Sequence, residues 1–162
     1  MDLSASVLAV LREEFADFGQ VEQLLGTGLR LLMAALLGGL LGYEREVKGK
    51  AAGLRTHMMV TLGAALFVMP LQLDGAPHDA LSRVVQGVAA GIGFLCAGTI
   101  LKGDRSSQIK GLTTSASVWF STAVGITVGL GYEGTAVLGV VFALLILHAL
   151  PLIEPSEKQP PH

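Results

Sequence analysis

The sequence has one cysteine and few charged or aromatic residues. Of its 162 residues, 15% are charged and 6% are aromatic, and the formal net charge is −2. A lone Cys96 excludes an intrachain disulfide and a cysteine-based metal cluster. The small net charge, without a basic stripe interleaved with aromatics, argues against a nucleic-acid partner. The first residues also lack the basic region and cleavage site of a signal peptide, so we expect direct insertion of the first apolar helix.

Apolar residues are abundant instead. They form 51% of the sequence, and the mean hydropathy of +0.61 is too high for a soluble domain of this length. Five apolar runs approach the length that crosses a hydrocarbon core of about 30 Å. These runs are residues 24–43, 54–73, 84–101, 112–130 and 135–153. The sequence therefore predicts an all-α polytopic membrane protein whose five-helix transmembrane domain covers residues 24–153.

The basic residues predict the orientation of these helices, because lysine and arginine near the ends of a span stay in the cytoplasm. The joins after the first and third runs carry Arg45, Lys48, Lys50, Arg55, Lys102, Arg105 and Lys110. The two other joins together contain one lysine or arginine, Arg83. We therefore expect the N-terminus outside and the C-terminus in the cytoplasm.

The two ends of the sequence differ from its apolar centre. Residues 3–18 place apolar side chains at roughly helical spacing, which predicts a short amphipathic helix at the outer interface, within a segment covering residues 1–23. A frayed, solvated N-terminus is the alternative. Residues 154–162 are polar and rich in proline, so we expect a disordered cytoplasmic tail.

Polar residues near the apolar runs are the first candidates for a functional site, because charge is costly at membrane depth. Their densest passage is residues 43–57, and their spacing permits one polar network. The candidates are Arg30, Glu44, Arg45, Arg55, His57, Arg83 and Gln86. Simpler interpretations stay open: Arg30 can extend to the interface, Glu44 and Arg55 can form a purely structural ion pair, and His57 can be an ordinary hydrogen-bonding residue.

A bound divalent cation is a further hypothesis. The candidate ligands are Glu44, Glu46 and His57 near one join and Asp104 near the other. Mg²⁺ prefers several oxygen ligands and retains water, and this spacing matches no known cage. We expect no cofactor, and Mg²⁺ is the ion to test.

Twenty-one glycines predict close contacts between helices. Gly91-x-Gly93 superficially resembles a dinucleotide-binding motif, but it lies within an apolar run and lacks the strand and turn that this motif needs. The residues predicted to pack helices are Gly38, Gly42, Gly87, Gly91 and Gly93. Extended glycine faces also suggest a homodimer.

The pattern Gly-Leu-x-Thr occurs twice, at residues 53–56 and 111–114, each time after a basic join and before an apolar run. It indicates either a duplicated two-helix unit or separate helix starts. In both interpretations Thr56, Thr113 or Thr114 can cap the first amides of the next helix.

Several motifs occur together in one order. They are Tyr-Glu-Arg-Glu at 43–46, Ala-Gly-Leu-Arg-Thr-His at 52–57, Gly-Ala-Ala-Leu-Phe at 63–67, Gly-Ile-Gly-Phe-Leu at 91–95, Ala-Gly-Thr-Ile at 97–100 and Gly-Leu-Thr-Thr at 111–114. With them the sequence resembles the MgtC/SapB family of bacterial inner-membrane proteins over roughly residues 24–150. The resemblance implies functional roles for Glu44, Arg45, Arg55, Thr56, His57, Arg83, Thr113 and Thr114.

The resemblance further implies a protein linked to growth under low magnesium and, in pathogens, to survival inside host cells. For the virulence-associated members it implies inhibition of the membrane ATP synthase. This sequence differs from many relatives by Cys96 in place of glycine, and from residues 154–162 we expect a protein without the soluble C-terminal domain of the virulence-associated members. These differences indicate the shorter, more general branch of the family.

The leading hypothesis is a non-enzymatic inner-membrane regulator that acts in magnesium limitation and in ion and proton homeostasis through membrane or cytoplasmic partners. The alternative is a transporter or channel component for Mg²⁺, K⁺ or H⁺. In that alternative Arg30, Glu44, His57 and Gln86 line a polar path.

Overall fold

The computed structural model describes residues 3–15, 20–102 and 109–153. Within these residues the chain forms six helices and one pair of short antiparallel strands, in which Leu101 pairs with Lys110. The helices are α1 (Leu3–Glu14), α2 (Val21–Val47), α3 (Leu54–Leu73), α4 (His78–Gly98), α5 (Leu112–Gly129) and α6 (Glu133–Ile153). The strands are β1 (Leu101–Lys102) and β2 (Ile109–Lys110).

The prediction of an all-helical protein is confirmed. Helices α2, α3 and α4 are long and apolar enough to cross a membrane, whereas α5 and α6 coincide with the fourth and fifth apolar runs. The total of five spans and their orientation stay predictions. Helix α1 forms where it was expected and none of its residues is buried, but its position at an interface also stays a prediction. The predicted tail lies outside the described residues.

One predicted boundary is wrong. The third apolar run continues to Leu101, but α4 ends at Gly98. The Thr99 hydroxyl donates to the Cys96 carbonyl over 2.8 Å, and Leu101 belongs to β1. The apolar run predicts a further helical turn up to Leu101, but the backbone there pairs with Lys110 of β2 instead.

Helices α2, α3 and α5 form the centre of the bundle, α6 packs against α2 and α5, and α4 packs mainly against α5. The main cluster of buried apolar residues is Ala34, Leu37, Leu41, Ala65, Met69, Val124, Val128, Ala136 and Val140. Many large apolar side chains point away from it, among them Leu36, Phe94 and Phe142. A surface of this kind suits contact with lipid rather than water.

Glycines allow the central helices to approach closely. A Cβ atom on Gly42 would lie 2.7 Å from the Leu54 Cα atom, and one on Gly38 would lie 2.7 Å from the His57 carbonyl oxygen. Both positions therefore exclude a side chain, as small residues do where membrane helices touch. A Cβ atom on Gly87, Gly91 or Gly93 would meet no atom within 4 Å in the single chain. The packing role of these three α4 glycines stays a prediction.

Candidate functional site

The buried face of α2 ends in a charged residue. The buried residues of this helix recur every three or four positions, which is the spacing of one helical face. They are Ala34, Leu37, Gly38, Leu41, Gly42 and Arg45. Only 2% of Arg45 is exposed. The buried face of α2 is therefore apolar up to its last residue, Arg45, whose guanidinium group is also buried.

Glu44 neutralises this buried guanidinium. Its carboxylate accepts hydrogen bonds from Arg45 Nε at 2.5 Å and Nη2 at 3.0 Å, and it pairs with Lys48 Nζ at 2.7 Å. Lys48 Nζ also donates to the Leu147 carbonyl on α6 over 2.7 Å. Within the residues that the structure describes, Arg45 Nη1 is shielded from solvent and has no hydrogen-bond partner. A buried donor of this kind calls for a water molecule or another acceptor.

The second buried polar group is the His57 side chain, which is fully enclosed between α3 and α5. Its Nδ1 lies 2.9 Å from the Gly53 carbonyl oxygen and its Nε2 lies 3.2 Å from Ser117 Oγ. Ser117 Oγ in turn donates to the Thr114 carbonyl over 2.8 Å.

A neutral His57 ring has one N–H, and Ser117 has one O–H. These two protons cannot serve all three hydrogen bonds, which join Nδ1 to the Gly53 carbonyl, Nε2 to Ser117 Oγ and Ser117 Oγ to the Thr114 carbonyl. A carbonyl only accepts, so Nδ1 must carry the proton, and Nε2 of a neutral ring is then an acceptor. Ser117 has one hydroxyl proton, which goes either to Nε2 or to the Thr114 carbonyl. A protonated ring satisfies all three contacts, so the arrangement couples the proton of His57 to the orientation of the Ser117 hydroxyl.

Glu46 caps the start of α3. Its Oε2 accepts a hydrogen bond from the Leu54 amide over 2.8 Å, and a Cβ atom on Gly53 would lie 2.7 Å from the same oxygen. The N-cap residues of α3 and α5 are glycines and provide no side-chain cap. The prediction that Thr56, Thr113 or Thr114 caps these helices is therefore wrong for the described hydrogen bonds, because a carboxylate eight residues upstream caps α3 instead.

The structure does not assemble the single polar network that the spacing permits. Arg30 lies at the other end of α2, where it donates to the Gly129 carbonyl at 3.3 Å and pairs with Glu133 at 3.6 Å. Arg83 is exposed and pairs with Asp79 at 2.7 Å.

Two more members of the expected network also lie apart from it. Gln86 is exposed and donates to Ser82 over 3.3 Å. Arg55 is exposed, and the predicted Glu44–Arg55 pair is absent among the described contacts because Arg45 and Lys48 occupy the Glu44 carboxylate.

The proposed metal ligands do not converge either. Glu44 is paired with two cations, Glu46 caps α3, and the ring nitrogens of His57 face Gly53 and Ser117. Among the residues that the structure describes, no group of three or more histidine, cysteine or acidic side chains could hold a metal ion. Asp104 lies outside those residues. The described donors therefore do not fit a resident Mg²⁺ ion.

The described residues of the two basic joins meet at the same end of the bundle, where they line an open pocket of about 360 Å³. Its lining comes from the join between α2 and α3, the end of α4 and the start of α5. The lining residues are Gly49, Lys50, Ala51, Thr99, Lys110, Gly111 and Thr114. Thr114 is buried, whereas Thr113 is exposed and does not line it.

Sequence reasoning missed the role of the interior hydroxyl groups. Ser117 is not among the candidates taken from the sequence, but it is the partner of His57. Thr61 donates to the carbonyls of His57 and Met58 at 3.0 and 2.9 Å. Thr114, Ser117 and Ser121 follow one another at spacings of three and four, which places them on one face of α5. That periodicity was the available signal.

Comparison with known proteins adds to this geometry. A model described as the MgtC family matches residues 31–155. The chain belongs to the MgtC family. The MgtC family match includes every element of the buried cluster, from Arg45 through His57 to Ser117. With three helices able to cross a bilayer, this match identifies a membrane protein.

Similar proteins come from different bacteria. SrpB of Synechococcus elongatus is 46% identical over 134 residues, which cover 76% of this chain and 74% of SrpB. YhiD of Escherichia coli K12, whose name describes a candidate magnesium transporter, is 40% identical over 127 residues, covering 74% of this chain and 58% of YhiD. The protein MgtC of Brucella abortus is 40% identical over 137 residues, covering 82% of this chain and 55% of that protein.

The chain therefore spans only a little more than half of YhiD and of the Brucella MgtC. No solved structure matches it.

Proposed function

We propose that this MgtC-family chain is a non-enzymatic regulator in the bacterial inner membrane, which acts in magnesium limitation and in ion and proton homeostasis. It acts through a partner that its two basic joins contact. Membrane lipid surrounds it, and a membrane protein such as the ATP synthase is the partner class that the resemblance to virulence-associated relatives implies. A homodimer is compatible with this role.

The observation that carries this proposal is the separation of the four residues that a polar path would need. Arg30 is engaged with Gly129 and Glu133, whereas Glu44 is engaged with Arg45 and Lys48 at the opposite end of α2. Gln86 is exposed on α4, away from the enclosed His57. A continuous path through one copy of the chain would need these groups to face a common space.

The groove beside α3 and α4 supports the same conclusion. It has a volume of about 630 Å³ and opens between these helices near α5. Its lining is apolar apart from the Thr122 hydroxyl, and includes Met59, Phe67 and Ile92. An ion that entered such a groove would lose hydration without gaining ligands. Lipid chains or apolar side chains fit this lining better than a cation does.

Reconstituted flux is the measurement that separates regulator from transporter. The protein is placed in liposomes, and the fluxes of Mg²⁺, K⁺ and H⁺ are followed under imposed gradients with protein-free liposomes as the baseline. We expect no flux above that baseline. A flux that is abolished by Glu44→Ala and retained by the exposed control Asp79→Asn would establish the transporter alternative instead.

Photocrosslinking tests the partner directly. A crosslinking residue replaces Lys50 or Ile109 at the end with the basic joins, and replaces exposed His78 on α4 as the control. We expect the same membrane protein to be recovered through positions 50 and 109 and not through position 78. Recovery of the same species from all three positions, or of none, contradicts a partner bound at the joins.

A further inference from the structure

The groove between α3 and α4 has glycines in both of its walls. Gly63 lines it from α3, and Gly87 and Gly91 line it from α4. A Cβ atom on any of these three glycines would meet no atom within 4 Å, whereas a Cβ atom on Gly42 would lie 2.7 Å from the Leu54 Cα atom. Close contact between helix backbones therefore explains Gly42 but not the groove glycines. They border a gap that the described residues leave unfilled.

The chemistry of the lining selects an apolar occupant. Among the described lining residues only Thr122 carries a hydroxyl group, and it already donates to the Val118 carbonyl over 3.2 Å. The other lining side chains have no charge and no N–H or O–H group, and Met59, Phe67 and Ile92 are large and apolar. An empty gap would forfeit the dispersion contacts that hold packed groups together in lipid. Hydrocarbon supplies these contacts without leaving a polar group unpaired.

The dimensions of the groove favour one acyl chain over a transmembrane helix. The lining runs from Met59 to Phe67 on α3 and from Val84 to Leu95 on α4, which is about 12 and 16 Å at 1.5 Å per residue. A helix that crosses a hydrocarbon core of about 30 Å would extend beyond both ends.

The volume leads to the same choice. A helix about 10 Å wide would need roughly 1,000 Å³ over this length, whereas the groove has about 630 Å³. A methylene group is close in size to a water molecule, which takes up about 30 Å³ in the liquid, so the groove holds roughly twenty of them. That number matches one long acyl chain.

A cation continues the row of groove residues on α3. Arg55, Met59, Gly63 and Phe67 follow one another at intervals of four, so they lie along one side of the helix. Arg55 is exposed and lies about 6 Å beyond the Met59 end of the groove. Helix α3 contains no acidic residue, and the acidic residue of α4, Asp79, lies at the opposite end of that helix. The positive charge near this end of the groove therefore complements an anionic phosphate group.

We propose that the groove between α3 and α4 binds one phospholipid from the membrane leaflet at the end with the basic joins. One acyl chain lies between the two helices, and the phosphate group accepts hydrogen bonds from the Arg55 guanidinium. The distance along α3 from Arg55 to Phe67 is about 18 Å, which is close to half of a hydrocarbon core of about 30 Å. A lipid of a single leaflet therefore reaches the whole length of the groove.

Lipid binding at this site does not depend on whether the chain regulates or transports. The readout is affinity for a lipid, so a failed flux or crosslinking experiment leaves the site standing, and its own failure leaves the proposed function standing.

Native mass spectrometry of the full chain in a maltoside detergent provides the test, because it counts the lipids bound to each molecule. The probe is phosphatidylglycerol with one palmitoyl and one oleoyl chain. We expect a first lipid to bind at a lower concentration than the lipids that follow it.

Two variants, each with a matched control, locate this first lipid. Gly91→Leu puts a side chain into the groove and should weaken its binding at least about fivefold, as overpacking does. Gly93→Leu makes the same change on α4 outside the described lining and should alter the affinity by less than about twofold. Arg55→Gln removes the positive charge and should weaken binding about fivefold. Arg83→Gln, at the exposed pair with Asp79, should alter it by less than about twofold.

Both glycines have open space and both arginines are exposed, so each variant should keep the fold. Weaker binding in Gly91→Leu and in Arg55→Gln, with both controls unchanged, supports the proposal. Unchanged binding in Gly91→Leu overturns it because the acyl chain then lies elsewhere, and unchanged binding in Arg55→Gln overturns it because the phosphate does. The absence of a distinct first lipid also overturns it. A dimer that Gly91→Leu dissociates, without a first lipid, would assign the groove to a second copy of the chain instead.

Discussion

The centre of the bundle and helix α4 contain similar residues in different surroundings. Gly38 and Gly42 on α2 lie against the backbone of α3, whereas Gly87 and Gly91 on α4 face no neighbour in the single chain. Ion pairs show the same contrast. Glu44–Lys48 is partly enclosed beside buried Arg45, and Asp79–Arg83 has the same spacing but is exposed.

Spacing along a helix therefore specifies which residues share a face, but not what that face meets. The central helices combine small residues with buried polar groups, whereas Gly87 and Gly91 of α4 line the open groove between α3 and α4. Matched substitutions in the central helices and in α4 test whether the same change costs more folding free energy in the centre, as the contacts indicate.

Arg45→Met should give the largest effect. It removes one partner of a buried ion pair, and breaking such a pair costs about 3–5 kcal/mol of folding free energy. The exposed control Arg83→Met should cost about 0–1 kcal/mol. Unfolding by titration with a denaturing detergent in mixed micelles measures both.

The double variant Glu44→Gln with Arg45→Met sharpens this result. It removes the charges of Glu44 and Arg45 and leaves only Lys48, which is partly exposed and keeps its hydrogen bond to the Leu147 carbonyl, so it should be more stable than Arg45→Met alone. Equal stability of Arg45→Met and Arg83→Met would mean that the buried pair contributes no more than a surface pair.

Gly42→Val should have the next largest effect. A Cβ atom at this position would lie 2.7 Å from the Leu54 Cα atom, and an overpacked core typically costs about 1–3 kcal/mol. Gly91→Val places the same side chain where no atom lies within 4 Å, although both variants lose glycine from a helix. The midpoint of thermal unfolding in detergent should fall for Gly42→Val only. A matching fall for Gly91→Val in the folded protein would show that α4 has a partner, such as a second copy of the chain.

Of the three substitutions in the central helices, His57→Gln should cause the smallest loss of folding free energy. Glutamine keeps a polar side chain but does not reproduce both contacts, with the Gly53 carbonyl and with Ser117 Oγ, so we expect the net loss of one hydrogen bond, about 0.5–1.5 kcal/mol. His78→Gln on the exposed start of α4 should stay within about 0.5 kcal/mol of the native chain. Hydrogen exchange of the α5 amides provides the measurement. Unchanged protection in His57→Gln would contradict the link between α3 and α5.

Much of the fold follows from local sequence, because apolar runs and turn residues specify helices without knowledge of their neighbours. The burial of Arg45 also follows, since it continues the spacing of Leu41 and Gly42 on α2. The contact between His57 and Ser117 does not follow, because sixty positions separate them and only the docking of α3 on α5 joins them.

The cap that Glu46 places on α3 was equally hidden from the sequence. It depends on the path of the chain between α2 and α3, where Gly49 adopts a positive φ of 63° and turns the backbone. The sequence singles out the charged residues of this passage, but their partners depend on the three-dimensional arrangement. For that reason Glu44 pairs with Arg45 and Lys48 rather than with Arg55.

Helix α2 contacts α6 through a cation near each of its ends. Arg30 pairs with Glu133 at the first turn of α6, and Lys48 donates to the Leu147 carbonyl near the other end of the described helix. The two helices therefore run parallel, with their alignment set at two distant points. A slide of one helical turn, about 5.4 Å, would break both contacts at once. The two contacts therefore oppose a sliding motion of α2 along α6 at two separate points.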